Sequence, residues 1–233
     1  LSFGAGGRLA AASWDGKIRV YSYDANGLVL KRAKLAAELN HTFNRNAQNR
    51  GRPVTVAFSP DGSKLAVGHQ SGSNWAIVLA PDSLDTLYVA SSVGLSNNLG
   101  GFGVRKMAWS PDGNTLYGGV ISIHRQQHFV RIWGDGGRAT PTDAPVPGIN
   151  SVMDVLTLRD GSVAYATGTT VGLFDGRGNQ LRVADAGAGN FYGTTAAFKV
   201  SHDGARVEFA YAEGREVMNF DVLERKLAAG AAQ

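Results

Sequence analysis

Among the residues that could do chemistry, His124 and His128 come first, because histidines four apart on a helix can share a zinc ion. Their segment, HRQQH, reads as a hairpin loop and lacks the Glu that follows the first His in zinc hydrolases. No metal site is therefore expected. His41, His69 and His202 stand alone in polar loops or at strand ends. GAGNFYG has the spacing GxGxxxG, which misses the dinucleotide fingerprint, and DGRGN at Asp175 to Asn179 lacks the alternating carboxylates of a calcium loop. No cofactor is expected. Glu38 and Asp154 are the carboxylates closest to first strands of the repeat described below, where a glycoside hydrolase would assemble an acid and a base. With zero Cys, the chain has no disulfide, thiolate metal site or cysteine nucleophile.

Residues suited to binding are more numerous. LNHTFNRNAQNRGR, Leu39 to Arg52, brings His41, Phe43, Arg45, Arg50 and Arg52 together with four Asn and no acid. That chemistry suits an acidic protein surface, a carboxylate or a phosphate. LSNNLGGFG contributes Asn98 and Phe102, GAGNFYG contributes Phe191 and Tyr192, and the HRQQH loop adds Arg125. Aromatic residues among Gly and Asn make good interface anchors. Trp14, Trp75, Trp109 and Trp133 sit in strands or at strand ends, where large aromatics dominate cores, so all four are expected to be packed inside.

The elements that must position these residues are announced by a repeat. FSPDGSKLAVG at Phe58 returns as WSPDGNTLYGG at Trp109, and weaker copies begin at Leu1, Leu156 and Phe198. The second turn glycines are Gly7, Gly62, Gly113, Gly161 and Gly204, so the steps are 55, 51, 48 and 43 residues. Periods of that size mean tandem supersecondary units that bury their faces against one another. Each copy reads as short runs of Val, Phe, Tyr, Leu and Ala bounded by Gly, Asp, Asn and Ser, which is the pattern of strands. The segment Lys31 to Asn40 is the one place where a helical pattern is also admitted. Asp61, Asp112, Asp160 and Asp203 belong to tight turns and are read as turn formers, not as site residues.

Four antiparallel strands per unit make an all-β chain, a β-propeller of four-stranded antiparallel blades. FSPDG, WSPDG, SWDGKIRVYSYD and HFVRIWGDG resemble the WD-repeat family of propellers, and the resemblance covers essentially the whole chain. The Trp-Asp pair of that family is degraded here to YSYD, IWGD, LFDG and NFDV. One propeller domain is expected over 1–233, with blades at about 1–35, 54–91, 104–144, 152–186 and 195–230. Five visible blades are fewer than the seven usual in this family, so the resemblance implies a segment of a seven-bladed propeller, the alternative being five blades that close by themselves. The final copies resemble the ends of bacterial multidomain proteins in which such repeats follow an effector such as a caspase-like protease. That implies a fused upstream domain.

Loop lengths assign a face. Turns joining first to second and third to fourth strands are expected to be uniformly tight, whereas the opposite face carries Ala36 to Pro53, Ser91 to Val104, Gly134 to Ser151, Asp185 to Thr194 and the second-to-third connection ISIHRQQHF. Long loops on a rigid scaffold are where recognition is placed. The expected function is non-enzymatic recognition of a protein or peptide by a sensor or scaffold module; the competing reading is a carbohydrate hydrolase or lyase at the channel mouth. The net charge of +4 is spread without a block of like charges, so nucleic acid is not an expected partner. No apolar run is long enough to cross a bilayer and no leader pattern is visible; cytoplasm is the expected compartment, with the periplasm or secretion as the alternative if a leader has been removed.

Overall fold

The computed structural model describes residues 1–39, 52–69, 76–94, 103–121, 128–148 and 151–185, together with the backbone of four further strands between 198 and 230. Five four-stranded antiparallel sheets follow one another along the chain. The first holds β1 (Ser2–Gly4), β2 (Arg8–Ala12), β3 (Lys17–Asp24) and β4 (Gly27–Leu35). The second holds β5 (Pro53–Phe58), β6 (Leu65–His69), β7 (Ala76–Leu79) and β8 (Thr86–Val89). The third comprises β9 (Gly103–Trp109), β10 (Leu116–Ile121), β11 (His128–Trp133) and β12 (Thr142–Val146), and the fourth β13 (Asp154–Thr157), β14 (Val163–Ala166), β15 (Thr170–Phe174) and β16 (Gln180–Asp185). The fifth is built from β17 (Phe198–Val200), β18 (Arg206–Ala210), β19 (Val217–Asp221) and β20 (Lys226–Gly230). None of the described helices is long and apolar enough to cross a membrane.

The SPDG segments form the turns that start these sheets. In the second sheet Asp61 accepts from the Ser59 hydroxyl at 2.5 Å, the Ser63 amide at 3.0 Å and the Ser63 hydroxyl at 2.7 Å, while Gly62 adopts φ +70°. Asp112 repeats the arrangement with Ser110 and Asn114, at 2.5 and 3.0 Å, and Gly113 again has φ +70°. An L side chain is strained at that φ, which is why the turn requires Gly. The hydroxyl of Ser59, then that of Ser63, holds the Asp61 carboxyl well below the ordinary value of 3.8. A depressed carboxylate stabilises the fold above its unfolded pKa, and that contribution disappears as pH falls through the folded value. NMR titration should therefore place the Asp61 midpoint well under 3.8; a midpoint at or above 3.8 would mean the turn network does not persist in solution.

Strand alternation divides each sheet into two faces. The second, third and fourth sheets present large residues to the sheet before them. Register aligns Phe58, Leu65 and Leu79 in the second sheet, Trp109, Leu116 and Trp133 in the third, and Thr157, Val163 and Phe174 in the fourth. The first of these rows packs on Ala10, Ile18 and Val20, the next on Ala57, Ala66 and Val78, and Val163 and Phe174 on Tyr117, Val130 and Ile132. Each fully buried Leu, Val or Phe contributes about 1.5–3 kcal/mol relative to exposure, so these interfaces are the core. First strands also lie side by side, β1 with β5, β5 with β9 and β9 with β13. Side chains tie them: the Phe58 amide donates to Ser2 Oγ at 3.0 Å, Trp109 Nε1 to the Ala57 carbonyl at 3.1 Å, and Thr157 Oγ1 to the Trp109 carbonyl at 2.6 Å.

Two expectations about elements need correction. Lys31 to Leu35 is strand, not helix, because it completes β4 against Lys17–Val20, and only a single 3-10 turn, Ala36–Glu38, follows. Ladder hydrogen bonds override a local helical pattern. Gly134 to Ser151 is not one long loop either, since it contains β12, paired residue for residue with His128–Ile132. Pro141, Pro145 and Pro147 disguise that strand, yet Pro is tolerated here because β12 is the outer edge of its sheet. The third-to-fourth connections are consequently not all tight. Residues 80–85 in the second sheet and 134–141 in the third are longer bends, the latter capped by a contact between the Tyr88 hydroxyl and the Gly136 carbonyl.

Candidate functional site

One end of the assembly gathers the turns between second and third strands with the segments that join successive sheets. At that end β2 and β3 are connected by Ser13, Trp14, Asp15 and Gly16. The turn is rigidly built: the Gly16 amide donates to the Ser13 carbonyl at 3.0 Å, the Ser13 amide to the Lys17 carbonyl at 3.1 Å, and Gly16 has φ +81°. Asp15 accepts from Arg19 through both oxygens, at 3.2 and 2.5 Å, and from the Lys17 amide at 3.0 Å. The Arg19 hydrogen bonds, then that of Lys17, hold the Asp15 carboxyl far below its ordinary range. Nothing in this network uses Trp14. Its indole is left 70% exposed at the tip.

The expectation that all four tryptophans are core residues is therefore wrong for Trp14. Trp109 and Trp133 lie within strands and are buried, whereas a residue at the crest of a four-residue turn projects beyond the sheet and finds no neighbouring blade to cover it. Trp75 lies outside the described residues. What Trp14 does find is Arg52, whose guanidinium carbon stands 5.5 Å from the indole centroid. Arg52 immediately precedes β5 and closes the basic segment Leu39 to Arg52. The contact thus brings an aromatic turn and the root of the basic loop to one place, with a cation–π attraction of about 0.5–1 kcal/mol at such exposure. Arg52 is the single predicted binding residue that falls in the described part. His41, Phe43, Arg45, Arg50, Asn98, Phe102, Arg125, Phe191 and Tyr192 lie outside it.

At the same end of the fourth sheet the hydroxyls of the β14–β15 turn point inward. Thr167 and Thr170 hydroxyls lie 2.7 Å apart, and Thr170 Oγ1 donates to the Pro147 carbonyl at 2.7 Å. Both threonines are buried, so their hydroxyls are committed to this packing.

Residues considered for catalysis or metal binding are placed as follows. His69 ends β6 and His128 opens β11, both buried, while His124 lies outside the described residues. His128 is thus a strand residue paired with Val146, not part of a loop. Asp154, at the start of β13, is buried and forms an ion pair with Lys106 of β9 at 3.2 Å, whereas Glu38 is exposed in its 3-10 turn. A carboxylate held by a lysine on the adjoining first strand links two sheets. Among the described residues no group of three or more His, Asp or Glu is arranged to hold a metal ion.

Solved structures resemble this arrangement over nearly its whole length. Sqt1 of Chaetomium thermophilum, a WD-repeat β-propeller protein, matches in one crystal structure with a TM-score of 0.64 at 16% identity over 93% of this chain. This chain is a β-propeller. A second Sqt1 structure matches with a TM-score of 0.62 at 17% identity over 97% of the propeller chain. The propeller described here spans about half the length of these relatives, 53% and 55%. No protein-family model matches it, and no curated protein does. Its sheets are therefore blades, and the end that carries Trp14 and Arg52 is one of the two rims of the propeller.

Proposed function

We propose that this propeller is a non-enzymatic recognition module that binds an acidic protein or peptide segment on the rim carrying Trp14 and Arg52. The observation that carries the reading is the exposed Trp14 indole, presented by a rigid turn and flanked by the Arg52 guanidinium. Trp and Arg are the residue types enriched in interface hot spots, and a large aromatic left in water on a rigid support loses little entropy when it is covered. Arg52 also continues into a segment with two more arginines, one His, one Phe, side-chain amides and no acid, which favours a negatively charged partner.

In this reading the module is a sensor or scaffold part of a larger bacterial multidomain protein, joined to an effector, that works in the cytoplasm without binding nucleic acid. The fold resemblance supports the recognition role, since it places no demand for chemistry on these residues. The binding claim is tested by selecting peptides on the purified chain and repeating the binding with Trp14→Ala and Arg52→Ala. Each substitution should weaken the complex by about 1–2 kcal/mol, roughly 5- to 30-fold. Wild-type affinity in both variants, or failure to select any acidic peptide, would contradict the proposal.

A further inference from the structure

The segment GLVLKRAKL sets three apolar residues beside two cations, and no proline interrupts it. It forms β4, nine residues long, and among the described residues no strand pairs with its outer edge. Proteins usually blunt such an edge, as Pro145 does in β12. β4 instead leaves Leu28, Val29 and Leu30 58%, 54% and 51% exposed. Register shows which backbone groups this edge offers. The Tyr23 amide donates to the Gly7 carbonyl, just before β2, at 2.7 Å, so Tyr23 turns its backbone away from β4. Antiparallel pairs alternate between hydrogen-bonded and non-hydrogen-bonded. Tyr23–Leu28 and Tyr21–Leu30 are therefore the non-hydrogen-bonded pairs, and the N–H and C=O groups of Leu28 and Leu30 point outward. This free ladder is short. On one side it ends at the turn where the Asn26 amide donates to the Asp24 carboxylate at 2.8 Å. On the other, Lys31 is left out of the pairing with β3, and its carbonyl accepts from Arg32 Nη1 at 2.9 Å.

An edge of this form is complementary to itself. Antiparallel pairing about a two-fold axis at Val29 sets Leu28 opposite Leu30 of a second copy and Leu30 opposite its Leu28, so every outward group of both residues finds a partner. Val29 then meets Val29 on one face, and the four leucines cluster on the other. The same geometry brings Lys31 and Arg32 alongside Gly27 and Asn26 of the second copy, next to its exposed Asp24. An in-register parallel arrangement would instead set Lys31 against Lys31, which repels. We infer that the β4 edge from Gly27 to Leu30 pairs antiparallel with the same edge of a second copy, joining two four-stranded first sheets into one continuous sheet.

Because the chain contains no cysteine, one engineered thiol reports this register directly. In the inferred pair Val29 faces Val29 at a non-hydrogen-bonded position, about 4.5 Å between Cα atoms, which is within the span of a disulfide. Val29→Cys should therefore oxidise to a covalent dimer, whereas Leu87→Cys, similarly exposed on the outer strand β8, should stay monomeric. Circular dichroism verifies that each variant keeps its sheet content. Sedimentation equilibrium should find a reversible dimer of the wild-type chain in the micromolar range, as suits an interface this small, and Val29→Lys, which opposes two like charges, should weaken it by about 100-fold. A wild-type chain that stays monomeric throughout the micromolar range would overturn the inference and leave the edge to a strand of another protein. So would a dimer indifferent to Val29→Lys, or equal cross-linking through positions 29 and 87.

Discussion

Replacing Trp133 with alanine is expected to destabilise the protein by about 3–5 kcal/mol, the range for deleting a buried Trp side chain without collapse of its surroundings. Trp133 is fully buried in β11, packs across the junction between second and third blades, and donates from Nε1 to the Ser91 carbonyl at 2.8 Å. Its ring fills the space above Gly118, where a Cβ would lie 2.8 Å from the indole. Substitution thus opens a cavity between two sheets and strands a loop carbonyl, and both act in the same direction. The check is chemical denaturation: the urea midpoint should fall by that free energy divided by the m-value, with m itself unchanged. A shift below about 1 kcal/mol would mean that the blades repack freely, contrary to the close fit at Gly118.

Arg131→Ala should have an effect of similar kind and somewhat smaller size. Arg131 is buried in β11, yet its guanidinium donates through Nε and Nη2 to both oxygens of Asp143 on β12, each at 2.7 Å, and through Nη1 to the Val93 carbonyl at 3.0 Å. One side chain therefore fastens the outer strand of the third blade and the segment leading in from the second. Breaking a buried pair by removing one partner costs about 3–5 kcal/mol, but Asp143 is 37% exposed and water can take up its charge, so about 2–3 kcal/mol is expected. Asp143→Asn keeps a hydrogen-bond acceptor and should cost less than Arg131→Ala. The opposite order would assign the stabilisation to the outer strand instead of the inter-blade link.

How much of this was legible in the sequence depends on where the information sat. The SPDG turns and the apolar runs around them are local signals, since Asp61 and Asp112 act within their own turns, and they announced five four-stranded units correctly. Signals that conflict with local chemistry were misread. Three prolines concealed β12, whose outer-edge position makes the missing donors harmless, and Lys31–Leu35 carried a helical pattern that pairing with β3 overrules. The exposure of Trp14 was missed for a related reason: its neighbours in sequence belong to the strand pattern, but the turn beginning at Ser13 lifts it off the sheet end. An aromatic directly before Asp-Gly at a turn crest is the signal that could have found it. The Arg52–Trp14 contact joins residues 38 apart along the chain and depends on the two blades being side by side, which no local pattern encodes. Nor could spacing alone reveal that Asp154 is tied to Lys106, because they occupy different repeats.

The most direct test of the account is an isothermal titration of one selected acidic peptide against the wild-type chain, the Trp14→Ala and Arg52→Ala variants, and Arg177→Ala. Arg177 is an exposed arginine in the β15–β16 turn at the opposite rim, so its loss changes net charge equally without touching the proposed surface. The account predicts that Trp14→Ala and Arg52→Ala each weaken binding by roughly 5- to 30-fold while Arg177→Ala changes it less than about 2-fold. Equal losses for Arg52→Ala and Arg177→Ala, with none for Trp14→Ala, would show attraction to net charge alone and would contradict recognition by this rim.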